Sequence, residues 1–180
     1  MCGLKGGGFI ISNKVVHLSL LDVCLRLRLR VSSDSINLDD VFVESKCRKL
    51  LNNEIVDVEM LYDFLRRCRE SVSLGDYCRL YIVLGMLEFL IPSRKGTIFP
   101  MLFTIVDDLS GLGKYNWGGL VCEHLVGSIC NASMFLQEKG KKRHFHIVGC
   151  EYLLQVICNE LVWIEMCIVW NTKKCICSLM

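Results

Sequence analysis

The stretch Tyr77–Ile91, YCRLYIVLGMLEFLI, constrains the fold more than any other. Apolar residues occupy nearly every side of its helical projection, so the spacing predicts a buried central helix. Pro92-Ser93-Arg94-Lys95-Gly96 ends it. The only other proline is Pro100, which leaves long helices free to form elsewhere. The chain has 180 residues, 52% of them hydrophobic, enough for one domain with a real core. That composition excludes disorder over most of the length. A net charge of +2 is too small to argue by itself for nucleic acid.

Other segments take shape around this helix. Residues 9–18, FIISNKVVHL, read as two β runs around Ser12-Asn13-Lys14, a small hairpin. Ser19 with Asp22 forms a capping-box pattern opening a helix that ends near Arg28-Leu29-Arg30. From Asp39 the positions of Val41, Phe42, Cys47, Leu50 and Leu51 follow a helical period until Asn52-Asn53. Asp57 opens DVEMLYDFLRRCRESV, with Val58, Leu61, Leu65 and Cys68 on one stripe. Gly75-Asp76 marks a break. For residues 98–106 the period does not separate strand from helix. A long helix is predicted from Trp117 to about Gln137, then an exposed basic loop at 138–146 and a last helix from near Ile147. The expected fold is a mainly α, multi-helix globular domain with a small N-terminal β-hairpin.

Chemistry is sparse. Asp107-Asp108 could serve metal or acid–base work only beside a second acidic or histidine cluster, so helix or turn capping is the preferred reading. Gly111-Leu112-Gly113 lacks a third glycine at dinucleotide-binding spacing, because Asn116 holds that place, and reads as a turn. His144, His146, Cys175 and Cys177 have no zinc-ligand spacing, and His17 and His124 read as core-edge residues. No cofactor is expected.

Lys139, Lys141, Lys142 and Arg143 are the densest basic run. They read as a solvated loop, with a nucleic-acid contact or nuclear-import signal as the alternative. Twelve cysteines, without a cleavable apolar leader, are read as reduced thiols of the cytosol or nucleus. Most would act as small hydrophobes. Residues 147–170 are apolar, but Glu151, Gln155, Asn159, Glu160 and Glu165 argue for a buried helix and against a membrane span. The ending Cys177-Ser178-Leu179-Met180 fits a prenylation box, with Lys173, Lys174 and Cys175 upstream, so lipidation of Cys177 is a further alternative. Asn131-Ala132-Ser133 matches a glycosylation sequon inside a predicted helix and carries no weight.

Several ordered blocks carry a family likeness: Leu21-Asp22-Val23 with Leu27 to Val31; Tyr81 to Pro92; Asp108-Leu109 with Tyr115-x-Trp117-Gly118; and Gly149 with Leu153-Leu154-Gln155. Across residues 9–162 the chain resembles the plant mobile domain, labelled "aminotransferase-like", of transposable elements and their derivatives. A plant transposon-associated domain of unknown function shares the Asp-Leu…Trp-Gly block. Arg28 stands where the mobile domain usually has glycine. The resemblance implies a non-enzymatic helical interaction or scaffold module with unidentified protein partners, acting in the nucleus in silencing or meristem maintenance. It further implies a truncated domain with an atypical tail at 163–180 and poorly buried apolar surface at 147–170. The aminotransferase label implies no activity, since no lysine stands in a Schiff-base context; Lys114 lies in a turn.

Overall fold

The computed structural model describes residues 8–11, 14–32, 34–39, 44–51, 57–67, 71–93, 96–137, 147–157 and 159. The chain divides into two compact units, Met1–Cys150 and Glu151–Met180. In the second, residues 151–157 are helical. This stretch starts four residues after the expected point, because Ile147 to Cys150 run irregularly and the amide of Val148 donates to Ser128 Oγ at 2.6 Å.

The first unit is mainly helical. Gly8–Ile11 (β1) and Lys14–His17 (β2) run antiparallel, Phe9 opposite Val16. The residues joining them lie outside the described residues, so the hairpin itself is not shown. Then follow α1 (Leu20–Leu27), α2 (Lys46–Leu50), α3 (Val58–Arg67) and α4 (Leu74–Gly85), which runs on into a π-helical turn at Met86–Leu90. After these come α5 (Pro100–Asp107), a 3₁₀ turn at Leu109–Lys114 and α6 (Trp117–Gln137).

Local chemistry sets these boundaries. Ser19 and Asp22 form a reciprocal box at the start of α1: Asp22 N–H donates to Ser19 Oγ at 3.1 Å, and Ser19 N–H to Asp22 Oδ2 at 3.0 Å. Arg28 closes α1 with φ 54° and ψ 36°, the left-handed conformation that usually goes to glycine. α4 begins at Leu74, three residues earlier than expected. Ser73 caps it by accepting from Asp76 N–H at 3.2 Å, so Gly75 and Asp76 form its first turn and do not break it. The ambiguous 98–106 segment is helical from Pro100, whose missing N–H costs nothing at a first helical position. Of the helix expected from Asp39, the described residues show Lys46–Leu50, and residues 40–43 lie outside them.

The main core gathers α2 to α5. Fully buried Leu61, Leu80, Val83, Leu87, Ile91, Leu102 and Val106 lie at its centre. The segment around α4 is not buried all round. Leu74, Tyr81 and Phe89 are 79%, 62% and 49% exposed. Among the described residues, α4 packs on α3, α5 and α2. Val58 N–H donates to Gly96 O at 2.8 Å, tying the start of α3 to the loop after the π turn; Gly96 needs its φ of +66° there.

α1 lies along α6. The approach depends on Gly118, where a Cβ would overlap Cys24 Sγ and come within 3.2 Å of Leu20 Cδ1. Gly118→Ala should therefore destabilise the fold by about 2 kcal/mol, as overpacking does, and Cys24→Ala should recover part of that loss. Thermal denaturation of the two single variants and the double variant checks this. Arg28→Gly should stabilise by about 0.5–1 kcal/mol, because it relieves a left-handed β-carbon; the same melts read it.

Candidate functional site: the Asp107 clasp

Among the described residues, several polar groups converge where α5 ends and α2 begins. The Asp107 carboxylate accepts from the Lys46 amide at 2.8 Å (Oδ2) and the Cys47 amide at 3.2 Å (Oδ1). The Cys47 and Ser45 side chains adjoin it and favour its charged form. Ser45 Oγ in turn accepts from Arg48 N–H at 3.3 Å, so three amides of the first turn of α2 are satisfied. Ser45 is 2% exposed and Cys47 fully buried. The first turn of α2 holds no acidic residue, and Asp107 supplies that charge from elsewhere in the chain.

The electrostatics follow from this geometry. Burial raises the Asp107 carboxyl, but the donors from Lys46, Cys47 and Ser45 outweigh it and hold it below the ordinary carboxylate range. Burial, then the hydrogen bond and charge of Asp107, push the Cys47 thiol up to about 12. A thiol so placed stays protonated at neutral pH and is a poor nucleophile. The neighbouring Arg79 Nη1 is paired with Asp76 Oδ1 at 2.9 Å. This arrangement can fix a helix end; it offers no activated nucleophile.

The other sequence-derived residues are dispersed. Asp22 belongs to the α1 box, and the Ser19 hydroxyl and amide hold its carboxyl low. Asp108 Oδ1 accepts from Ser110 Oγ at 2.5 Å, and the Asp108 carbonyl accepts from Gly111 N–H at 3.1 Å. The first of these, with Gly111 N–H, lowers its carboxyl. A Cβ at Gly111 would lie 2.5 Å from Asp108 Oδ2, which explains glycine in this turn. Trp117 Nε1 donates to Leu112 O at 2.8 Å, and its ring meets Tyr115 edge-on at 6.1 Å; both pack against the core. Gly118 permits the α1–α6 approach. Gly149 lies against Leu125, whose Cδ1 would be 2.7 Å from an added Cβ. Gln155 is exposed in the helix of the second unit.

His124 Nε2 lies 2.9 Å from Pro92 O, and His17 is exposed. Lys139, Lys141, Lys142, Arg143, His144, His146, Cys175 and Cys177 lie outside the described residues. Among the described residues, no group of three or more His, Cys, Asp or Glu is placed to hold a metal, and no helix is long and apolar enough to cross a membrane. A shallow groove lined by Asp57, Glu59, Tyr62, Glu88 and Gly96 is acidic, but Asp57 Oδ1 already accepts from Met60 N–H at 2.7 Å, capping α3.

Sequence reasoning read Asp107 as capping chemistry but not what it caps. Its partners lie sixty residues upstream, beyond any local pattern. Asp107→Asn should lose about 1–2 kcal/mol at pH 7, since it weakens charge-assisted hydrogen bonds at a partly buried site. Asp107 titrates below its unfolded value of about 3.9, so its contribution is complete above that pH and is lost as the pH falls through the lower folded value. Urea melts of wild type and variant between pH 7 and pH 2.5 should show the gap closing only at the acid end.

Comparison with known proteins corrects the resemblance drawn from the dispersed blocks. No curated protein and no solved structure matches this chain. Residues 6–155 match the family described as a domain of unknown function, DUF8566, and not the plant mobile domain. The transposon ancestry, meristem role and nuclear role implied by that likeness lose their basis with it. With 6–155 matched, the chain belongs to the DUF8566 family.

Proposed function

We propose that this domain is a non-enzymatic protein-interaction module, and that one face of α4 is its contact surface. The observation that carries the reading is an exposed seam along that helix. Leu74, Cys78, Tyr81, Gly85 and Phe89 recur at spacings of four, three, four and four residues, the last step passing through the π turn, and all five are exposed. Such spacing places them on one side of a helix. Tyr81 is stacked on Tyr77 with centroids 6.4 Å apart, which holds its ring in place. A Cβ at Gly85 would have nothing within 4 Å, so a partner backbone can approach there.

An exposed apolar stripe with a fixed aromatic suits a helix of a partner protein laid along it. The non-enzymatic part of the reading is supported by the use made of the convergent polar groups: Asp107 is taken up by the α2 cap, and Cys47 is held protonated. The antiparallel register of Phe9 with Val16 supports a hairpin closed through residues 12–13. Nucleic-acid contact through Lys139–Arg143 and lipidation of Cys177 remain sequence-based alternatives.

The test compares wild type with a Leu74→Glu/Tyr81→Glu variant. Both should melt alike, within about 0.5 kcal/mol per site, because surface changes of this kind cost little. Wild type should sediment as a larger species, or retain proteins from an extract of its source cells that the variant does not. Identical sedimentation and identical retention would contradict the reading.

A further inference from the structure

We infer that the junction of the α1 C-terminus with the Leu109–Lys114 turn is a contact site for the phosphodiester backbone of nucleic acid, carried by Arg28, Arg30 and Lys114. All three side chains are exposed, whereas Leu29 between the two arginines is half-buried, so both guanidinium groups face solvent. The two segments are distant in sequence but firmly joined. Arg30 Nη1 lies 3.8 Å from the position of a Cβ on Gly113. The Ser32 hydroxyl donates to Lys114 O, and Asn116 N–H donates to Asp34 O at 2.7 Å beside a parallel bridge between Asp34 and Tyr115. None of the three cations forms an ion pair with a described residue.

The backbone at Arg28 is an independent observation. It is the one non-glycine residue among those described with positive φ. A β-carbon there is unfavourable, and an exposed side chain gains no packing in return. Folding therefore does not account for an arginine at this position, but an outward-facing charge would. Two carboxylates border the cluster. Asp108 attracts Lys114 while held by Ser110, and Asp34 is exposed. They leave little net charge for a lone anion. A ligand with regularly repeated phosphates can engage all three cations at once, and guanidinium forks match phosphate oxygens in pairs.

The test measures binding of labelled 20-nucleotide single strands and duplexes by fluorescence anisotropy between 25 and 200 mM NaCl. For duplex, each phosphate contact contributes about 0.9 to the slope of log K against log salt, so three contacts give about 3 or more. R30Q and K114Q should each reduce the slope by about 1. R28G should do the same while its melting temperature rises, a combination that a purely structural role would not produce. The decrements should persist in a background with Lys139, Lys141, Lys142 and Arg143 reversed to glutamate. The inference is overturned if all three variants keep the wild-type slope, or if the decrements vanish in that background. Displacement of the oligonucleotide by polyglutamate at equal charge concentration would likewise overturn it, in favour of an acidic-peptide site.

Discussion

The architecture turns on one carboxylate. Asp107 ends α5 and, from across the core, supplies the acceptors that the first turn of α2 lacks. A five-residue helix cannot sustain itself, since nucleation costs more than one turn of hydrogen bonds returns. α2 exists because Asp107 and Ser45 satisfy its amides and because Cys47 and Leu51 are buried against α4 and α5. The same contact makes the core continuous. α5 is apolar on its buried face, through Leu102, Phe103, Ile105 and Val106, and its polar end is consumed by the helix it anchors.

This has a functional corollary. A half-buried carboxylate beside a cysteine and a serine has the composition of a reactive centre. Here its oxygens accept from the Lys46 and Cys47 amides, and the thiol is driven toward its neutral form. Among the described residues, the polar groups gathered at Asp107 fix the start of α2. What is left over lies on the surface: an apolar seam on α4, and three cations gathered where α1 ends.

Signals that act within one turn of helix were legible in the sequence. Ser19 with Asp22, and the span of α6 from Trp117 to Gln137, could be read because capping and periodicity are local. Ser73 with Asp76 carries the same signature, yet Gly75 beside it suggested a break. The exposed side of α4 was hidden because hydrophobicity reports what a residue would gain by burial, and the fold decides which side is covered. The partner of Asp107 was hidden for the same reason. The mistaken family likeness has a physical root as well. Asp-Leu, Tyr-x-Trp-Gly and Leu-Leu-Gln blocks are cap, turn and core chemistry here, and such pieces recur wherever helices are capped and packed.

The central claim is that the Asp107–Cys47 cluster is structural, and thiol alkylation of the folded protein tests it most directly. With iodoacetamide at pH 8 and peptide mapping by mass spectrometry, exposed Cys78 should be modified rapidly, while Cys47 should stay unmodified until urea unfolds the chain. Rapid native-state modification of Cys47, at a rate equal to or above that of Cys78, would show an activated thiol and contradict the account.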